Sequence, residues 1–155
     1  MTNNNTRGMK NSFSFFIFQL SLILGLSVNV FADFTKSNGV VTDTKTSLQW
    51  QDDYSDNGDN VKQTTWTSAI DYCEALSLGG HSDWRLPNKK ELLSIVDYSS
   101  YNPSINTTFD HTTSSYYWSS STDANDASHA WFVNFYYGYT GYGAKSNSGY
   151  VRCVR

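Results

Sequence analysis

The side chains in this sequence that could do chemistry are few and widely spaced. The two cysteines, Cys73 and Cys153, stand 80 residues apart. A thiolate nucleophile would have to be one of them, and in an exported chain they are expected to pair with each other. Closing a loop of that length is worth about 4 kcal/mol in the chain-entropy model. His81, His111 and His129 lie 30 and 18 residues apart, with no helical pairing and no free cysteine to join them, so they do not read as a zinc site. Glu74 and Glu91 are the only glutamates and each falls on an expected helix, so a glycosidase pair could come only from scattered aspartates. No Gly-x-Ser-x-Gly elbow, His-Glu-x-x-His helix or phosphate-binding loop occurs. The expectation is a protein that is not an enzyme.

Two other groups of residues suggest binding. Asp53-x-Ser55-x-Asn57-Gly58-Asp59 imitates the first half of a calcium loop, but the twelfth position, where a bidentate acid belongs, is Thr64. Asp53, Asn57 and Asp59 are therefore a weak calcium candidate whose alternative is a solvated acidic loop, and no other cofactor or metal is expected. The Tyr-rich run from Tyr136 to Asn147 is more suggestive. Tyrosine offers a flat apolar face with a polar tip at low entropic cost. A sugar ring could stack on Tyr136, Tyr137, Tyr139 or Tyr142 while Lys145 and Asn147 bond its hydroxyls. The competing reading is a twisted strand pair whose tyrosines cover a sheet. Trp50, Trp66, Trp84, Trp118 and Trp131 sit in strand or helix patterns and are expected in the core. Arg85 could lock a turn by pairing with Asp83 or Glu91, or present its fork of donors to a ligand carboxylate or sulfate.

Positioning these residues falls to a single domain. Arg7 and Lys10, the apolar run Phe13 to Val28 and the small-x-small ending Val30-Phe31-Ala32 read as a signal peptide over residues 1–32. The run is shorter than a membrane span and is interrupted by polar residues, so no membrane insertion is expected after cleavage. Residues 33–155 keep nine bases against 14 acids, a net charge of −5, which argues against nucleic acid as a partner. Within them, Gly39 to Asp43 and Ser47 to Trp50 read as two short strands joined by a turn. Trp66, Ala69, Ile70, Cys73 and Leu76 form a stripe at helical spacing that stops at Gly79-Gly80. Pro87 forbids a continuation, and Asn88 with Glu91 makes a capping box for a second helix ending near Tyr98. Residues 99–115 are a long polar stretch, expected either to carry function or to be tied down by packing. Tyr116 to Ser119, Ala130 to Tyr136 and Gly149 to Arg155 read as strands. Val151 and Cys153 then face inward and Arg152 points the other way, so the bridge would fasten the first helix to the last strand.

Leu48-x-Trp50, Trp66-x-x-Ala69-x-x-x-Cys73, Asp83-Trp84-Arg85-Leu86-Pro87-x-x-x-Glu91-Leu92, Tyr117-Trp118-Ser119-Ser120 and Tyr150-Val151-Arg152-Cys153-Val154-Arg155 together resemble the bacterial domain of unknown function 1566. That domain forms the C-terminal part of the Legionella collagen-like adhesin. The likeness spans about residues 38–155. More distantly, the helix with Trp-x-x-Ala-x-x-x-Cys bridged to the last strand is similar to the C-type lectin-like fold. The resemblance implies an α+β, C-type lectin-like domain of two helices, short antiparallel strands and long loops, with Trp50, Trp66, Trp84, Arg85, Pro87, Glu91 and Trp118 in structural roles. It also implies an exported module in the periplasm, at the cell surface or outside the cell, that binds a glycan or an envelope protein, with a trimer in the manner of that adhesin as the expected homo-oligomer. Sulfated glycosaminoglycans, one ligand class of the adhesin, are not carried over, because the charge is negative and there is no collagen-like stalk. Lys89, Lys90, Lys145, Arg152 and Arg155 could still cluster locally. The alternatives are a structural or oligomerising domain of an envelope assembly, and an enzyme of the formylglycine-generating type.

Overall fold

A computed structural model of the chain describes Met1 and residues 34–155; the expected signal peptide lies almost wholly outside the described residues. The first three strands, β1 (Phe34–Ser37), β2 (Val40–Asp43) and β3 (Gln49–Gln51), form an antiparallel sheet in that order. β2 and β3 are the two strands expected from the pattern. β1 is an addition, turned onto β2 at Asn38-Gly39 with both residues at positive φ, the geometry of a tight hairpin. After a short 3₁₀ turn at Ser55–Asn57 come β4 (Gln63–Thr64), α1 (Trp66–Ala75) and α2 (Lys89–Ser94). β5 (Tyr116–Thr122), β6 (His129–Asn134), β7 (Tyr139–Ala144) and β8 (Gly149–Tyr150) follow. The second sheet has the order β4-β8-β5-β6-β7, so β7 is its outer strand.

α1 and α2 form where the spacing places them. α2 opens on the capping box: the Glu91 amide donates to Asn88 Oδ1 and the Asn88 amide to Glu91 Oε2, each at 2.9 Å. It ends at Ser94, one turn short of Tyr98, because the chain turns at Val96–Asp97 to bridge Val96 to Ile105. The last segment is strand only over Gly149–Tyr150; Val154 continues as isolated bridges to Trp50 and Arg85.

Both faces of the second sheet are covered, so neighbouring residues of one strand enter different cores. Ala69, Cys73, Trp84, Leu86, Trp118, Ala130, Val151 and Cys153 pack on the α1 side. Trp50, Leu92, Ile95, Phe109, Tyr117, Val133, Phe135 and Val154 pack on the α2 side. The Cys73–Cys153 disulfide is formed and lies in the first of these cores. Trp50, Trp84 and Trp118 are buried as expected. Trp66 and Trp131 are a correction: each is only partly buried, and its ring carries a lysine, with Lys145 Nζ 3.9 Å from the Trp66 centroid and Lys89 Nζ 3.5 Å from that of Trp131. The lysine ammonium lies over the face of each indole, a cation–π contact that suits a ring left partly in water.

Arg152 does point away from Cys153, but into the second core rather than to water. It is completely buried over Phe109, 4.4 Å from the ring centre. Its Nη2 donates to Thr112 Oγ1 (3.0 Å) and the His111 carbonyl, with Asp52 Oδ1 at 3.5 Å. Asp52 is also buried; it accepts from Lys36 and from the amides of Asp110 and His111. This centre ties the long stretch 99–115 to the first sheet, so packing holds that stretch down.

Candidate functional site

Arg85 and Glu91 form a two-pronged pair, Nη1 to Oε2 at 2.7 Å and Nη2 to Oε1 at 2.8 Å. The Arg85 guanidinium is the first cause of a Glu91 pKa below its ordinary 4.5. Asp83 is taken instead by Arg155, whose Nε donates to Oδ1 at 2.7 Å. Of the readings open to Arg85, the structure has the turn lock, with Pro87 buried behind it. Four of the five basic residues are occupied apart from one another: Lys89 and Lys145 lie on different tryptophans, Arg155 lies on Asp83, and Arg152 is inside. Asp53 Oδ1 accepts from the Ser55 amide at 2.9 Å and Asn57 Nδ2 donates to the Asn60 carbonyl at 2.8 Å, so these two side chains shape their own turn. Among the described residues no group of three or more His, Cys, Asp or Glu could hold a metal ion.

The run Tyr136–Asn147 is a hairpin tip followed by a strand, closer to the strand-pair reading than to a loop. Its six expected ligand residues do not converge. Tyr136 and Tyr137 occupy the turn, their rings edge to face with centroids 4.4 Å apart. Tyr139 begins β7 and its hydroxyl accepts from Asn134 Nδ2 at 3.2 Å. Tyr142 lies on the opposite face, edge-on to Trp131 (5.7 Å) and His129 (6.1 Å). Lys145 and Asn147 lie past the far end of β7, about 20 Å of strand from the tip. There Lys145 Nζ donates to Thr122 Oγ1 at 2.9 Å, so neither joins the turn tyrosines.

Two residues outside the expected set join the turn instead. The Asn102 amide donates to the Tyr136 carbonyl (2.9 Å) and the Ser104 amide to that of Phe135 (2.6 Å). The turn thereby docks on residues 96–104. Gly138 sits at φ 74°, where a Cβ would meet Val96 Cγ1 at 2.6 Å and Tyr98 Cε1 at 3.4 Å. This contact brings Tyr98 to the tip, and Tyr101 precedes the docking residue. Apart from Met1, every exposed large apolar side chain among the described residues is a tyrosine: Tyr98, Tyr101, Tyr137, Tyr139 and Tyr142, each at least half exposed. Beside Tyr98, Phe34, Ile95, Val96, Asp97, Ser99 and Asn106 line a groove of about 380 Å³, within the range of small-ligand clefts. Asp97 is held ionised below its ordinary pKa, first by the Ser99 hydroxyl and then by its amide. Tyr98 was legible only as the end of an apolar pattern, and nothing in its neighbours signalled exposure.

A single-disulfide α+β domain, with two helices on opposite faces of a five-stranded sheet and exposed tyrosines on the β6–β7 hairpin and on the 96–104 segment docked to its tip, is the class that fold and surface define. The model of the Lcl C-terminal domain matches residues 39–155, and the chain belongs to that family. No curated protein matches it. The disulfide is compatible with an exported protein, and among the described residues no helix is long and apolar enough to cross a membrane.

Proposed function

We propose that the protein is an exported, non-catalytic, adhesin-like module that binds glycan through the tyrosines of the hairpin tip. The observation that carries this reading is that the large apolar side chains left exposed, Met1 aside, are all tyrosines. Chance exposure draws on several apolar types, whereas ring faces with hydroxyl tips suit the alternating C–H and O–H surface of a sugar. Tyr98, Tyr101, Tyr136 and Tyr137 supply the faces, and the groove with Asp97, Ser99 and Asn106 supplies polar partners. Family membership supports the adhesin-like part. The bridge from α1 to the last segment supports a C-type lectin-like reading of the fold, and the use of both thiols in it supports a non-catalytic role.

A glycan array probed with the protein, with and without calcium, tests the ligand class. Binding to neutral glycans that disappears in Tyr98→Ser/Tyr137→Ser is the expected result; silence on neutral and sulfated glycans alike would sink it. A calcium requirement would restore Asp53, Asn57 and Asp59 to the site. Export is checked by sequencing the N-terminus of the protein released by a bacterial host, which should begin at Asp33.

A further inference from the structure

We infer that the sugar held at the hairpin tip is an N-acetylated hexosamine, whose acetamido arm enters the groove beside Tyr98. The assignment rests on the glycan reading of the tip and names the sugar class that the groove selects. An acetamido arm has three parts: an apolar methyl, an N–H that donates and a carbonyl that accepts. The groove offers a partner to each. Its wall is apolar at Phe34, Ile95 and Val96, while Asp97 and Asn106 bring one acceptor and one donor. A few fixed polar groups on an apolar wall are what orient a small ligand.

The two polar groups are fixed in opposite senses. Asp97 Oδ1 is occupied by the Ser99 amide at 2.8 Å and the Ser99 hydroxyl at 2.6 Å, whereas Oδ2 has only the Ser100 hydroxyl at 3.3 Å. An ionised carboxylate accepts and cannot donate, so Oδ2 keeps capacity for an incoming N–H. Asn106 is turned the other way. Its Oδ1 accepts from the Thr108 amide at 2.9 Å, which fixes the side-chain amide and leaves Nδ2, with no partner among the described residues, to donate to a carbonyl. The antiparallel bridge of Val96 to Ile105 and the bond from the Asp97 amide to the Ser104 carbonyl (3.1 Å) lay the two chain segments side by side, so acceptor and donor flank one groove. Tyr98 is exposed and follows Asp97 directly. The ring face for the sugar and the acceptor for its arm thus come from adjacent residues.

The same residues disfavour the neighbouring sugar chemistries. A plain hexose has a hydroxyl where the arm would be and leaves the wall of Phe34, Ile95 and Val96 against water. A free amino sugar would satisfy Asp97, but it would set its ammonium toward the Asn106 donor and leave the apolar wall unfilled. A sulfated or carboxylated sugar meets the Asp97 carboxylate, and no lysine or arginine is among the described lining residues to offset it.

Calorimetric titration of the exported protein with oligosaccharides of N-acetylglucosamine and of N-acetylgalactosamine, each beside its parent hexose and its free amine, tests the assignment. At least one acetamido sugar should bind on the order of tenfold or more tighter than both of its counterparts. Asn106→Asp keeps an oxygen for the Thr108 amide but replaces the donor by a second acceptor. The order should then invert, with the free amine bound tighter than the acetamido sugar, a gain that a misfolded variant could not give. Acetamido sugars bound no tighter than their counterparts overturn the assignment and leave the tip tyrosines as a glycan surface. An Asn106→Asp variant that keeps the wild-type order, or binds none of the sugars, overturns it as well. Silence of the wild type on all of these sugars also overturns it, and the glycan array then decides whether the glycan reading falls with it.

Discussion

The last segment, Val151–Arg155, and the hairpin of β6 and β7 show opposite ways of fixing a chain. The last segment has almost no regular ladder, yet Val151, Arg152, Cys153 and Val154 are buried, and it is held by a disulfide, two isolated bridges and a charge centre. The hairpin has the long continuous ladder and leaves Tyr137, Tyr139 and Tyr142 in water. Backbone pairing holds the surface proposed to meet other molecules, which leaves its side chains free. Side-chain chemistry holds the segment that closes the domain.

That contrast can be broken at the C-terminal centre first. Asp52→Ala removes the acceptor of four donors, on Lys36, Asp110, His111 and Arg152, and leaves a buried guanidinium without its carboxylate. Denaturant unfolding should show a loss of about 3–5 kcal/mol, with wild-type stability sinking the idea that this centre closes the domain. C73S/C153S should cost about 2–4 kcal/mol by the same measurement. Glu91→Gln should cost about 1 kcal/mol. The Glu91 pKa is lower in the folded state, so the contribution of its pair with Arg85 is complete above its ordinary pKa near 4.5 and is lost as pH falls through the depressed folded value. The wild type and Glu91→Gln should therefore converge in stability under acid and differ at neutral pH. Tyr137→Ser should shift stability by no more than about 0.5 kcal/mol while abolishing glycan capture, and a large loss of stability would make that tyrosine structural.

The sequence announced α1, the capping box, β2, β3 and the disulfide because each rests on local spacing that packing then reinforced. β1 was missed because Phe34-Thr35-Lys36-Ser37 has three exposed residues of four and gains its order from β2. Arg152 was placed on the right side of the strand, but its burial was not legible, because alternation distinguishes two faces without saying that both are covered. β7 stayed open between a loop and a twisted strand pair, because tyrosine and glycine suit a loop as well as an edge strand. The candidate surface was legible in its residue type and half legible in its members: Tyr136 and Tyr137 remain, Lys145 and Asn147 drop out, and Tyr98 and Tyr101 enter through a docking contact between distant segments that no spacing rule contains.

The disulfide has a mechanical consequence. Tension applied between Phe34 and Arg155 passes from Cys73 to Cys153 through the bridge and bypasses the residues between them. All five exposed tyrosines lie in that bypassed length. Under load, extension falls on the length from Phe34 to Cys73, which holds β1 to β4 and most of α1, while the bridged length that carries the tyrosines stays slack.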